Sequence, residues 1–460
     1  MNNHTSSNTN KGVALLVSTI AAFLTSFMGS SLNIALPTIG RDFALDAVML
    51  GWVPASFMLA AAMFLVPFGR LADIYGRKRI FTLGTIIYTV SSLLLAIAPS
   101  AILLIFFRVL QGIGSAMIFG NGVAIVTSVF PSGERGRALG INVAATFIGL
   151  SLGPSLGGFL TQHFGWRSVF LATVPLGLVA IAATSWKLRG KLAEAEGEKF
   201  DLTGSIIYGL TLVAIMSGFS LLPAVLGVWL ISIGSLGILA FIKWEIKTKS
   251  PVLDMSLFKN NTVFSFSILA ALINHCAAFA VGFLASLYLQ YIKGFSPGHA
   301  GLILISQPIV MAMLAPSAGR LSDRIEPRLL ASAGMALTTI ALILFIFLDQ
   351  DTGLGFIVLS LVILGLGLAL FSSPNTNAAM SSVDKKFYGV ASGTLATMRL
   401  IGQVLSMGIV MMLFALNIGR VQITPEYYSS FLESFRTAFI IFAVLCFGGI
   451  FASLARGKIR

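Results

Sequence analysis

Negative charge is scarce in this chain: 17 acidic residues stand against 30 Lys and Arg among 460, and charged residues of both signs make up only 10%. Soluble domains carry about a quarter charged residues, so a water-facing surface over the whole chain is excluded. There are only two cysteines, Cys276 and Cys446, and both fall inside apolar runs. That excludes a disulfide framework and makes them small core hydrophobes. No GxxxxGK[ST] phosphate loop is present, which argues against direct ATP drive. No HExxH or CxxC pair suggests a metal site, and no cofactor is expected. The polar start MNNHTSSNTNK holds one base, and the apolar run after it is too long for a signal core and lacks a cleavage site. Residues 1–12 therefore read as a cytosolic tail.

What fills the chain instead is apolar sequence: 57% hydrophobic residues and a mean hydropathy of +0.93. One water-soluble core could not hide so much apolar surface, so most of the chain has lipid as its solvent. A helix needs about 20 apolar residues to cross about 30 Å of hydrocarbon. Cutting at charges, prolines and polar clusters predicts fourteen such helices, at 14–36, 50–69, 80–98, 102–129, 137–161, 167–186, 203–220, 224–242, 264–290, 299–319, 328–348, 354–378, 390–416 and 434–455. The fold class is an all-α integral membrane protein.

Positively charged loops resist translocation, so the bases orient the bundle. With the N-terminus inside, 23 of the 30 bases fall on the cytoplasmic side, five (Arg41, Arg167, Lys293, Arg420, Arg436) fall outside, and Arg108 and Arg399 lie within helices. A multi-pass protein of the plasma membrane with both termini cytoplasmic is expected. The basic face then serves anionic lipid headgroups, and nucleic acid is not needed to explain it.

The densest knot of charge, GRLADIYGRKRI at 69–80, lies between the second and third helices, and a paler version, GRLSDRIEPRLL, returns at 319–330 between the tenth and eleventh. An even number of helices separates them, so both loops face the same side. Two six-helix halves in parallel orientation account for this, 13–186 and 263–460, with a linker and an inserted helix pair at 187–262. Parallel repeats of this kind hold substrate near the midplane between the halves.

Four further stretches complete a resemblance. GRLADIYGRKRIF, RVLQGIGSA (108–116), GLSLGPSLGGFL (149–160), LNIALPTIGRDF (32–43) and SGTLATMRLIGQVLSMGI (392–409) together resemble the major facilitator superfamily, in its fourteen-helix drug/proton antiporter branch of multidrug efflux type. The resemblance implies that the loop residues Gly69, Asp73, Gly76, Arg77 and Arg79 form a conformational latch. Asp73 would meet the helix opening at 389–393 only when the cytoplasmic side is closed. In the echo Asp323 is kept, but Glu326 and Pro327 replace Gly76 and Arg77, which implies a weaker latch. For 149–160 it implies a seal against proton leak in antiporters.

The residues themselves give reasons for these roles. Gly69 and Gly76 permit tight turns and close backbone approach. Gly149, Gly153, Gly157 and Gly158 form a nearly continuous small face on which another helix can seat closely, and Pro154 frees a carbonyl. An arginine inside a membrane helix needs water or a partner, so Arg108 and Arg399 are expected to face the cavity, with Gln111 one turn from Arg108. Asn33, Asn121, Asn142, Gln307 and Asn375 add neutral hydrogen-bonding groups. No acid falls within a helix interior, and Met28 stands where drug-exporting relatives commonly carry an aspartate, five residues before Asn33. His275, the only mid-helix group titrating near neutrality, is the candidate proton carrier. The expected function is export of lipophilic small molecules in exchange for protons by a monomer working through alternating access. The alternatives are a proton-coupled importer or symporter of a metabolite, and a membrane sensor or enzyme on a transporter scaffold.

The base count makes one direct prediction. On a Cys-free background, cysteine placed at Ala195 should stay unreactive toward an impermeant thiol reagent in intact cells and react after permeabilisation; labelling from outside would break the fourteen-helix topology.

Overall fold

The computed structural model describes residues 11–187, 200–248, 251–253, 255–259, 261–384 and 387–457. Most of the expected tail at 1–12 and much of the linker opening the 187–262 segment lie outside the described residues. Among the described residues, fourteen helices are long and apolar enough to span a membrane: α1 (Lys11–Asp42), α2 (Ala47–Tyr75), α3 (Arg77–Ala96), α4 (Ala101–Val129), α5 (Glu134–Phe164), α6 (Arg167–Trp186), α7 (Leu202–Leu221), α8 (Val225–Lys247), α9 (Thr262–Ile292), α10 (Pro297–Ser322), α11 (Pro327–Ile346), α12 (Leu354–Ser381), α13 (Tyr388–Asn417) and α14 (Pro425–Ala455). Most of them overrun the expected bounds, because helical hydrogen bonding continues through polar residues at the ends. Thus α2 carries Arg70 and Asp73 inside its last turns. The expected loop between α2 and α3 shrinks to Gly76, at φ 106°, a conformation open to glycine, whose N–H closes on the Ala72 carbonyl at 2.9 Å. Gly69 lies inside α2 with open space beside it and makes no turn.

Helices α1–α6 pack together, with α1 seated on α5 and α4 wedged between α2 and α3. Helices α9–α14 repeat the arrangement, α12 lying between α10 and α11. The two sets meet through α1 with α9, α2 with α13, and α5 with α10. Of the inserted pair, α7 packs into the seam between α2 and α13, where the Tyr208 hydroxyl donates to the Ala62 carbonyl at 3.0 Å. Its partner α8 exposes Leu226, Trp229, Ile233 and Leu236, an apolar flank suited to lipid.

Hydrogen-bonded joints between the two sets gather at the end of the bundle where α1 gives way to α2 and α9 to α10. There the Ser286 hydroxyl donates to the Asn33 carbonyl at 2.6 Å, Gln290 Nε2 to the Ile34 carbonyl at 3.0 Å, and the Ala47 amide to the Val421 carbonyl at 2.9 Å. The Gly298 amide donates to Gln162 Oε1 at 3.0 Å. At the other end, Gly69, Gly389 and Gly393 have nothing within 4 Å of the position a side chain would take.

The glycine motif of α5 divides its labour between two faces. Gly149 and Gly157 sit against the α1 backbone, where an added Cβ would lie 2.7 Å from the Phe23 carbonyl oxygen and 2.5 Å from Ser31 Cβ, and Gly153 sits against Ser30. Gly158 instead faces α10, where a Cβ would strike the Pro297 carbonyl, and Gly301 returns the contact against the Pro154 carbonyl. The single small face expected from sequence is thus two, one within the first helix set and one across the joint.

Gly158→Ala is therefore expected to loosen the joint while leaving α1 on α5. With spin labels on the exposed Phe164 and Leu302 of a Cys-free protein, their distance should lengthen in Gly158→Ala and stay unchanged in a variant altered on the α1 face, Gly149→Ala, which should instead lower the melting temperature. An unchanged distance in both would reduce Gly158 to ordinary packing.

Candidate functional site

Between the two helix sets lies a cavity of about 380 Å³, within the range of small-molecule pockets. It starts below the joints at Asn33 and Gly282 and runs down the bundle to Leu65, Phe119 and Ala396. Both sets contribute to its wall, as do the places where helices are broken. The α9 helix is interrupted at Phe279 and the α10 helix at Ile305, beside Leu304 and Gln307. Breaks of this kind are tolerated at membrane depth only where they border protein or a cavity.

Four of the expected cavity residues line it, Asn33, His275, Gln307 and Arg399, and so does Pro154 of the 149–160 motif. Arg399 donates from NH2 to the Thr376 hydroxyl at 2.7 Å, while its Nε has no partner. His275 Nδ1 lies 3.0 Å from the Ala271 carbonyl, which can only accept, so in the neutral ring the proton sits on Nδ1 and Nε2 keeps its lone pair. Asn274 and Gln403 also form the wall; as isolated polar residues in apolar runs they were visible in sequence, but nothing in one sequence ranked them above the others. Phe57, Phe119 and Phe279 belong to its apolar lining.

The other expected cavity residues lie elsewhere. Arg108 is fully buried between α2 and α4, donating from Nε to the Val53 carbonyl at 3.2 Å and from NH1 to Gln111 Oε1, with its guanidinium 4.4 Å from the Phe57 ring centroid. Gln111 passes the chain on to the Ser92 hydroxyl at 2.8 Å. Neutral dipoles and a π face hold this cation, where the sequence suggested a cavity. Asn121 donates to its own helix at Met117, and Asn142 is buried on α5. Asn375 donates to the Ser267 carbonyl at 3.0 Å and accepts from Arg456 at 3.0 Å. Arg456 counted as a loop base in the sequence, but it is fully buried at the end of α14, joining α9, α12 and α14.

Asp73 pairs with Arg77 at 3.0 Å, one turn on, and Arg79 is exposed. Asp323 accepts from Asn377 of α12 at 3.4 Å. The lining of the cavity includes no carboxylate among the described residues. Asp42, the nearest acid in sequence, is drawn off to the sealed end by Trp166 Nε1 at 3.0 Å and Arg167 NH1 at 2.9 Å. No group of three or more acids, histidines or cysteines suited to a metal is found among the described residues. The spacing G-x-S-x-G does occur, at 149–153 and 153–157, but both copies lie within α5, without the strand-to-helix elbow that would expose a nucleophile.

Because Arg108 is embedded away from the cavity, Arg108→Ala is expected to reduce handling of every ligand in parallel, with a loss of about 2 kcal/mol or more in stability from its charged hydrogen bonds. Melting in detergent alongside transport ratios for neutral and acidic compounds checks this; selective loss of the acidic ones at unchanged stability would return Arg108 to the cavity.

The Major Facilitator Superfamily model matches residues 18–407 and 267–458. The riboflavin transporter RibZ of Clostridioides difficile is 30% identical over 443 residues, covering 96% of each chain. The multidrug resistance protein Stp of Mycobacterium tuberculosis is 29% identical over 406 residues, covering 86% of this chain and 74% of its own. Among solved structures, a bacterial homologue of the human lysosomal transporter Spinster, inward-facing and unoccupied, superposes with a TM-score of 0.69 at 17% identity over 99% of this chain and 98% of that one. A bundle of fourteen apolar helices in two like sets about a central cavity, matched across its length by that family model, places the chain in the Major Facilitator Superfamily, whose members here are transporters and not enzymes.

Proposed function

We propose that this chain exports neutral or weakly acidic lipophilic small molecules across the plasma membrane in exchange for protons, as a monomer that alternates access between the helix sets 13–186 and 263–460. The observation that carries the reading is the charge of the cavity: Arg399 on one wall and no carboxylate among the lining residues. A permanent cation there would lose its hydration without a counter-charge. A neutral molecule or weak acid meets amides, aromatic faces and one guanidinium.

His275 supplies a coupling rule. Its Nε2 lone pair can accept a hydrogen bond from a neutral substrate, and a proton on the same atom removes that acceptor and sets a second positive charge near Arg399. Proton and substrate then compete, as exchange requires, and acidification weakens substrate binding. Arg399 from α13 is the charged group in the cavity wall with His275; α1 offers Asn33, α4 Ser115 and α10 Gln307, all uncharged. One proton moved through 100 mV supplies about 2.3 kcal/mol. The joined end, with α5 glycine against α10, is read as the outer gate, and the loop at 69–80 as a latch that forms when the opposite end closes. The similarity to a riboflavin transporter supports a second reading, carriage of a neutral polar heteroaromatic in either direction.

Proteoliposomes with an imposed pH gradient test the proposal. Neutral and weakly acidic compounds should move against protons, a protonophore should stop them, and His275→Gln should bind substrate yet lose dependence on the gradient. Strong transport of tetraphenylphosphonium with none of neutral compounds would overturn it.

A further inference from the structure

We propose that Asp201 and Glu245, far from the cavity lining, form a proton-binding site: one proton shared between their carboxyls clasps the start of α7 to the end of α8 and to the chain leading into α9, and loss of that proton as pH rises parts them. The pair acts independently of what the cavity carries.

Asp201 caps α7, where its Oδ1 accepts from the Gly204 amide at 2.9 Å, and Glu245 lies two residues before the end of α8. They are 9% and 2% exposed. An added Cβ on Gly204 would strike both Asp201 Oδ2 and Glu245 Oε1, so the two carboxyls converge on one glycine. Asp201 is held from its other side by Trp244 Nε1, 3.0 Å from Oδ2, and Glu245 Oε2 accepts from the Leu253 amide at 2.8 Å.

Two buried carboxylates side by side repel each other and both lose hydration, so one of them keeps a proton unless a base intervenes. Among the described residues no base does. Helix α7 contains no Lys, Arg or His, and its Tyr208 gives its hydroxyl to Ala62; the turn Met255–Phe258 has no ionisable side chain; Lys243 and Lys247 of α8 and Lys259 beyond the turn are exposed. The proton also completes the hydrogen bonding. Ionised carboxyls only accept, whereas a proton on either lets one donate to the other, which gives Glu245 Oε1 its partner.

The pair stands at a junction between the inserted helices and the second set. Glu245 grips Leu253, and four residues further on Leu257 packs with Phe264 and Ile268 of α9 and with Ala391 and Leu395 of α13. Because the closed pair binds its proton more tightly than the parted acids would, closure is favoured at low pH and lost as pH rises. The second set is then tied to the inserted helices at low pH and freed from them at high pH.

Infrared difference spectra of the purified full-length protein in nanodiscs test the site between about pH 5, where most exposed carboxyls are already ionised, and about pH 9. Wild type is expected to lose a protonated-carboxyl C=O band on alkalinisation, and Glu245→Gln, whose amide stands in for the protonated acid, should lack that band. Nitroxide labels on the exposed Leu202 and Lys259 of a Cys-free protein read the clasp: their distance should lengthen with pH in wild type and stay short in Glu245→Gln. Wild-type spectra and distances need no variant to fold, and Asp201→Asn assigns the band should Glu245→Gln fail to fold. No such band in wild type, a band that survives in a folded variant, or a distance unmoved by pH would each overturn the proposal.

Discussion

A polar group inside hydrocarbon has no water to turn to, and the rest of this structure follows from that constraint. Ser, Thr and Asn side chains along the helices return their donors to backbone carbonyls of their own turn, as Thr85, Thr89, Thr211 and Asn121 do. Where a polar group is larger, it is threaded into a chain of partners: Arg108 to Gln111 to Ser92 in the first helix set, Arg456 to Asn375 to Ser267 in the second. Atoms left without a partner among the described residues occur both beside the central cavity, on Asn274 and Arg399, and away from it, on Ser31, Thr161 and Gln290.

The same constraint explains how Arg108, Arg399 and Arg456 coexist inside the bundle with so few acids. Arg108 is held by oriented dipoles and an aromatic face, and Arg456 by the dipoles of Ser267, Asn375 and Ser453 with the charge of Glu326 nearby. An ion pair in the interior would bring a second desolvated charge, and its loss on mutation would strand the first. Arg399 differs in standing at the cavity wall, where one of its nitrogens still lacks a partner. The field it sets there is positive, and the acids that could have cancelled it are held at the ends of the bundle, Asp42 by Trp166 and Arg167, Asp73 by Arg77.

Backbone proximity does the remaining work. Glycines let α5 lie against α1 on one face and against the start of α10 on another, so the first helix set stays rigid while sharing a close, polar joint with the second. The joint combines carbonyl contacts and hydrogen bonds with buried apolar side chains of both sets, among them Leu36, Leu50, Leu284 and Met411. The inserted α7 fills the lateral seam between α2 and α13, which closes that flank of the cavity to lipid.

Much of this was written in the sequence, because the bilayer imposes its length and polarity on each helix separately. Fourteen spans, the repeated 69–80 and 319–330 motifs, the turn at Gly76 and the small-residue character of 149–160 all follow from local composition. Cavity membership did not. Arg108 and Arg399 look alike as single cations in apolar runs, yet one is enclosed between α2 and α4 and the other reaches the cavity, because their environments come from helices distant in the chain. Gly157 and Gly158 are neighbours in sequence but touch different helices, α1 and α10, since one residue of helix turns the side-chain direction by about 100°. Asn274 could be seen as polar from the sequence; that both its hydrogen-bonding atoms go unmet was decided only by the packing of the two helix sets around it.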